Sequence, residues 1–421
     1  MRVVIIFAIV ILLFGPFNWL TVRQLLRLHP RRRAIVIALA IAGNVMWLFF
    51  PILNARTDFS RWMRAIFGPP WFAWTSFAIV YSMVIFTLLI VWLPFARRVD
   101  FIRFARRPSR VSLWSALIAL VAGAYGALVP LRIERVRVAI ENLPPSAEGM
   151  RIVLAGDLHV GLFSRPSRLQ QIFSTIDELH PDLVVLAGDL VDDDPVYAPK
   201  LLAATRFVAP STPIVAVLGN HEMYGAPREM IDRLRGSRVR LLVNEGLPMR
   251  GLWLTGISDY AARVAELQPN FPAALARRPA NAMPIVLAHQ PRAFDDARRL
   301  GIPLTLCAHS HGGQCGFRPL RWSLAGLFLR YHMGLYREGN AQLFVHTGAG
   351  YWLLPWRLGI TPEVVVIELS GVRRQSRRFQ PIESGSLAAA LQTVSSGGEA
   401  PHPPRPSPPP FRGGGAALRD E

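Results

Sequence analysis

The chain has 421 residues, 51% of them apolar, and a formal net charge of +19. That length exceeds one average domain, so two parts are expected, and the apolar share is high for a wholly soluble enzyme. Arginine carries nearly all the positive charge, because Lys200 is the one lysine. It is spread over loops and tail, which disfavours a nucleic-acid partner and fits contact of basic segments with anionic lipid.

Four uncharged stretches, Val3 to Leu20, Ala34 to Leu53, Trp71 to Phe95 and Leu113 to Val129, have about the length a bilayer core requires. They predict a transmembrane region of four helices over residues 1–134. Trp19, Trp47, Trp71 and Trp92 fall toward the ends of these runs, where amphipathic rings favour headgroups. Arg2 opens a run resembling a signal peptide, but Gly15-Pro16-Phe17 offers no small-x-small cleavage site, so the first helix is expected to be retained. Arg23, Arg27, Arg31, Arg32 and Arg33 in the first loop, and Arg97, Arg98, Arg103, Arg106, Arg107 and Arg110 in the third, predict that those loops are cytoplasmic. The large domain after Leu131 is then expected outside the cytoplasm.

Residues 135–370 show a strand-then-helix rhythm. Strands are predicted at Val136 to Ile140, Ile152 to Ala155, Leu183 to Leu186, Ile214 to Leu218, Val239 to Val243, Leu252 to Ile257, Ile285 to Ala288, Leu304 to Cys307, Leu343 to His346 and Val364 to Leu369. Helices are predicted around Leu169 to Leu179, Leu201 to Phe207, Arg228 to Leu234 and Phe294 to Leu300. This is an α/β domain. From residue 371 to 421 apolar runs cease, and Pro403 to Pro410 followed by Gly413 to Gly415 reads as a disordered Pro/Gly-rich tail.

Polar residues with metal-ligand chemistry follow these strands. Asp157-x-His159, Gly188-Asp189-x-x-Asp192, Gly219-Asn220-His221-Glu222, His289 and His309-x-His311 each come just after an apolar run. Open sheets place their sites at the carboxyl ends of strands. Two divalent ions about 3.5–4 Å apart need oxygen and imidazole ligands from several strand ends, with one carboxylate shared between them. A shared carboxylate offsets the repulsion between the cations, and Asp, Asn and His supply the ligand atoms in these runs.

These motifs resemble the calcineurin-like metallophosphoesterase superfamily, and within it the bacterial membrane-associated phosphodiesterase-type branch. The resemblance covers about Val136 to Leu369. It includes the run from Pro181 to Asp189, His309-Ser310-His311-Gly312-Gly313-Gln314 and His346-Thr347-Gly348-Ala349-Gly350. It implies an αββα sandwich and two divalent cations, with Mn, Fe and Zn all suited to the donors. It also implies that Asp157, His159 and His311 hold one ion, that Asn220, His289 and His309 hold the other, and that Asp189 bridges both. A hydroxide held between the ions would then attack phosphorus, with His221 protonating the leaving oxygen. Asp192, Glu222 and His346 are weighed between supporting the ligands and plain structural roles. The family usually has Gly where this chain has Ala308, which matters only if the backbone there needs positive φ.

Cys307 and Cys315 bracket the His-x-His loop, with free thiols favoured over a disulfide. Phe317 to Arg337 and Tyr351 to Trp356 combine aromatic and apolar residues with arginine, so they are read as ordinary packing or as a site for an acyl chain or headgroup. The expected function is a membrane-anchored phosphoesterase of the bacterial inner membrane, acting on phosphodiesters or phosphomonoesters, lipid-linked ones among them. A nucleotide-linked lipid diphosphate hydrolase and an inactive metal-binding membrane sensor are the alternatives.

Overall fold

The computed structural model describes Trp19, residues 21–54, Trp74, Phe77, Tyr81, Ile85, and residues 87–161, 164–235, 237–352 and 355–372. The strands are β1 (Arg132–Glu141), β2 (Arg151–Ala155), β3 (Leu183–Ala187), β4 (Ile214–Val217), β5 (Val239–Leu241), β6 (Glu245–Met249), β7 (Leu252–Gly256), β8 (Met283–Leu287), β9 (Leu304–Cys307), β10 (Gly316–Phe317), β11 (Trp322–Ser323), β12 (Gly334–Glu338), β13 (Ala341–Val345) and β14 (Glu363–Val372). They form two six-stranded sheets, in the orders β1-β14-β2-β3-β4-β5 and β12-β13-β9-β8-β7-β6, and a separate β10-β11 ribbon.

Within each sheet the central strands run parallel, β2 to β5 in one and β7, β8, β9 and β13 in the other. Such strands are buried on both faces and read as unbroken apolar runs. In β3 the side chains of Leu183, Val185 and Ala187 enter a core shared with Leu254, Ile285, Leu287 and Leu306 of the other sheet. Val184 and Leu186, one step out of phase, pack with Leu169, Phe173 and Ile176 of the helix Pro166–Glu178. Each fully buried side chain of this size contributes about 1.5–3 kcal/mol. The period of two along a strand therefore builds two cores from one run. Parallel connection also brings the carboxyl ends of β2, β3, β4, β8 and β9 to one rim.

The predicted helices and strands lie close to these elements. The antiparallel edge strands β6 and β12 and the short helices Asn220–Tyr224 and Phe271–Leu275 do not appear in the sequence reading, being too short or too mixed to show a period.

The transmembrane reading needs correction. Among the described residues no helix is long and apolar enough to cross a membrane, so the four-helix region is not supported. Val3 to Leu20 falls mostly, and Trp71 to Phe95 by about half, outside the described residues. The third run ends in a 3₁₀ turn, Leu93–Phe95. The fourth lies within the helix Phe101–Leu128, whose first ten residues include Arg103, Arg107, Pro108 and Arg110. An apolar run is a one-dimensional property, whereas a span requires one continuous apolar helix of about 20 residues. The extracytoplasmic orientation, counted from those four spans, loses its basis with them. β14 continues to Val372, and residues 373–421 lie outside the described residues.

Candidate metal centre

The seven predicted ligands converge on the rim of the two sheets. Asp157 and His159 follow β2, Asp189 follows β3, Asn220 follows β4, His289 follows β8, and His309 and His311 follow β9. Among the described residues three groups have ligand atoms within 4.8 Å of one another: Asp157, His159, Asp189 and His311; Asp189, His289 and His309; and His159, Asp192 and His221. Asp189 belongs to the first two. Its Oδ2 lies 3.1 Å from His289 Nε2 and 3.6 Å from His159 Nε2, while its Oδ1 accepts the His221 backbone N–H at 2.9 Å. Asn220 Oδ1 points into the second group, 3.1 Å from His289 Nε2 and 2.9 Å from His309 Nδ1, and its amide nitrogen donates to the Tyr224 hydroxyl.

Asp157, His159, Asp189, His309 and His311 all have φ between 44° and 74°. This left-handed region costs a non-glycine residue roughly 1–2 kcal/mol. Cross-loop hydrogen bonds offset the cost: Asp157 N–H donates to Gly188 O, His159 N–H to Asp189 O, and Gly350 N–H to Asp157 O, each at 3.0 Å. Gly188, at φ 79°, has no room for a side chain, because a Cβ there would come within 2.8 Å of both His289 and the Gly219 nitrogen. Ala308 is not among the positive-φ residues, so its methyl is conformationally free. It is buried against Gly156, where an added Cβ would sit 2.8 Å from the Ala308 methyl.

Two of the rings are held by their outer nitrogen. His159 Nδ1 meets Asp192 Oδ1 at 3.0 Å, and His289 Nδ1 donates to Ala187 O at 2.9 Å, so both turn Nε2 inward. This orients an imidazole for metal, and Asp192 thus acts on His159. Glu222 is almost fully buried and accepts four backbone N–H groups: Gly219 at 2.6 Å, Leu190 at 2.7 Å, Val191 at 2.9 Å and Asp189 at 3.0 Å. It ties the β3 and β4 loops together. His346 lies outside all three groups and accepts the Gly348 N–H at 2.8 Å, which shapes the loop against Asp157.

His221 sits at the open side, with its side chain 14% exposed against 1% for His159, and the two rings meet edge-on at 4.6 Å. Its Nδ1 is 2.7 Å from Asp193 Oδ1. Asp193 was missed in the sequence reading; the run Asp192-Asp193-Asp194 is a signal, but nothing in it tells which carboxylate reaches which ring. Arg357 was also missed. Fully buried, it donates to Gly350 O and Thr347 O at 2.8 Å and faces His311 Nδ1 at 3.4 Å.

Electrostatics follow from burial and crowding. Burial lowers the pKa of His289, but Asp189, Asp157 and Asp259 outweigh it and push the ring up to about 10. Burial and His289 hold His309 down at about 3, and burial with His159 and Arg357 holds His311 well below its usual value. Burial pushes Asp157 up to about 6. For Asp189 burial is outweighed by the surrounding histidines, which hold it well below the carboxylate range. Burial lowers His221, yet Asp193, Asp189 and Asp192 push it up to about 9. Burial and Asp189 push Glu222 up to about 7.

The donor set fits divalent cations. Asp157 Oδ1 accepts the His309 N–H, while its Oδ2 is buried without a partner. His159 Nε2 and His311 Nε2 face each other at 2.9 Å. Two metal–nitrogen bonds of about 2.1 Å at a right angle separate their donors by about 3 Å. Cys307 and Cys315 are both free and belong to none of the groups.

Comparisons with known proteins find metallophosphoesterases. The calcineurin-like phosphoesterase family model matches residues 150–313. An uncharacterized metallophosphoesterase of Helicobacter pylori strain J99 is 28% identical over 332 residues, covering 76% of this chain and 88% of that protein. A transmembrane protein with metallophosphoesterase domain from Danio rerio is 32% identical over 280 residues, covering 62% and 63%. Phosphodiesterase YaeI of Escherichia coli K12 is 29% identical over 252 residues, covering 56% and 88%. The chain therefore carries a calcineurin-like phosphoesterase domain at residues 150–313, the domain of a metal-dependent hydrolase of phosphoric esters.

Proposed function

We propose that the chain hydrolyses phosphodiesters or phosphomonoesters at a two-cation centre. Asp157, His159 and His311 would hold one cation, Asn220, His289 and His309 the other, and Asp189 would touch both. The observation that carries this reading is the position of Asp189 Oδ2 between His159 and His289, at the junction of the two donor groups. When bound, divalent cations lower the pKa of water and neutralise charge on phosphoryl oxygens.

The remaining chemistry belongs to the chain. Asp192 and the Ala187 carbonyl keep the His159 and His289 rings in the tautomer that offers Nε2. Glu222 fixes the backbone that carries Asp189. His221 is at the open side, where a leaving oxygen would emerge, and Asp193 keeps its Nδ1 engaged so that Nε2–H is the proton available for transfer.

The test is hydrolysis of a chromogenic phosphodiester and its matching monoester by metal-stripped and reloaded protein, with bound metal counted per chain. Activity and stoichiometry near two, both lost in Asp189→Ala, are expected. A stoichiometry of two with no hydrolysis of either ester would overturn the reading for simple substrates.

A further inference from the structure

Residues 316–333 form a lobe between the His-x-His loop and β12 that buries Ala325, Tyr331 and Met333 but leaves most of its apolar side chains in solvent. Phe317, Leu320, Trp322, Leu324, Leu327 and Phe328 are all exposed, Leu320 by 75% and Phe328 by 83%. The lobe is well anchored. Arg318 donates to Thr347 Oγ1 at 2.8 Å and pairs with Glu363 at 2.6 Å, Arg321 donates to the carbonyls of Met333 and Leu335, and Ser310 Oγ donates to His332 O at 2.6 Å. Apolar chains held outward by a polar framework at the root are a surface prepared for a partner.

Chemistry and continuity identify the partner. The 18 residues from Gly316 to Met333 contain three arginines and no Asp or Glu, so the surface is apolar with a positive rim. Trp352 and residues 355–358 join this lobe to a second exposed apolar surface. Gln314 exchanges hydrogen bonds with the Trp352 backbone at 2.7 and 3.2 Å, and Gly316 N–H donates to Leu358 O at 2.9 Å. On the other side, Trp356 Nε1–H donates to Ala119 O and Arg357 N–H to Gly123 O, both on the helix Phe101–Leu128. That helix exposes Val111, Trp114, Ile118, Val121, Tyr125 and Leu128, spaced by three and four residues into one stripe about 25 Å long. Arg103, Arg107 and Arg110 precede the stripe. Exposed Trp352 has its ring 6.4 Å from His221, so the apolar surface reaches the open side of the metal centre.

We propose that the 316–333 lobe, with Trp352 and the stripe of the helix Phe101–Leu128, docks on an anionic lipid surface and presents the metal centre to phosphoesters of amphiphiles held there. Apolar side chains enter the headgroup boundary while arginines meet lipid phosphates. The substrate part rests on the phosphoesterase reading above, whereas docking does not require turnover.

The experiment uses the full chain carrying Cys315→Ser and Leu327→Cys, labelled at position 327 with an environment-sensitive fluorophore; Cys307 is buried and stays unlabelled. Vesicles of phosphatidylglycerol and phosphatidylcholine are expected to shift the emission to the blue and at least double it, more than phosphatidylcholine alone. Adding Leu320→Glu and Phe328→Glu should abolish the response while hydrolysis of a soluble chromogenic ester changes less than twofold. No response at saturating anionic lipid overturns the proposal, even if the protein is carried down with vesicles. So does a shift that appears with rising protein concentration in the absence of vesicles, which would assign the surface to a second copy of the chain. Loss of ester hydrolysis with the lipid response intact would overturn the phosphoesterase reading alone.

Discussion

Asp193 Oδ1 lies 2.7 Å from His221 Nδ1, and Asp193 is largely exposed while His221 is partly shielded. The carboxylate both orients the ring and raises its proton affinity. His221→Asn should lower kcat about 10²–10⁴-fold on esters with poor leaving groups and less on activated ones. Asp193→Asn should cost about tenfold. Removing its negative charge lowers the His221 pKa, so the basic limb of the rate profile should move to lower pH by about one unit. An unmoved limb in Asp193→Asn would show that His221 is not the group titrating there.

Metal uptake should release protons. In the cation-free chain His289 has a pKa of about 10 and is protonated at pH 8, whereas His309, at about 3, and His311 are already neutral. A cation needs the unprotonated nitrogen, so apparent affinity should rise with pH up to about 10, by about tenfold per unit for each proton displaced. Below about pH 6 Asp157 adds a second proton. Calorimetry at pH 8 in buffers of different ionisation heat should report at least one proton per chain; none would show that His289 is neutral in the cation-free chain.

Glu222→Gln keeps the shape but replaces one acceptor oxygen with a donor that faces backbone N–H groups. Unfolding free energy should fall by about 2–3 kcal/mol, and metal affinity by about 10–100-fold. Urea titration and metal titration check the two effects. Affinity unchanged beside reduced stability would confine Glu222 to holding the fold.

Gly156→Ala sets two methyl groups 2.8 Å apart, against Ala308. Overpacking of this kind costs about 1–3 kcal/mol. Ala308→Gly in the same chain should recover most of it, and a double-mutant cycle on denaturation midpoints measures the coupling. Additive losses would show that some other contact limits Gly156.

Much of the fold was legible along the chain. Leu183 to Ala187 is an unbroken β-rich run, and such runs reveal parallel strands because both their faces are covered. The donors were legible because Asp, His and Asn directly follow those runs. Edge strands β6 and β12 were not, since each mixes polar and apolar residues without a clear alternation. The apolar N-terminal runs misled in the other direction: among the described residues they do not build a spanning helix.

What the sequence determined by itself was local: where apolar periodicity makes strands and helices, and which side chains with metal-ligand chemistry stand at strand ends. The tertiary structure alone decided partnership. Asp192 reaches His159 and Asp193 reaches His221, although the two acids are neighbours in the chain. Glu222 finds the amides at 189–191, and Arg357 finds His311, across loops far apart in the chain. Strand order sets those meetings, and strand order is fixed by packing two sheets on one core, a sum over contacts distant in sequence that no short window contains.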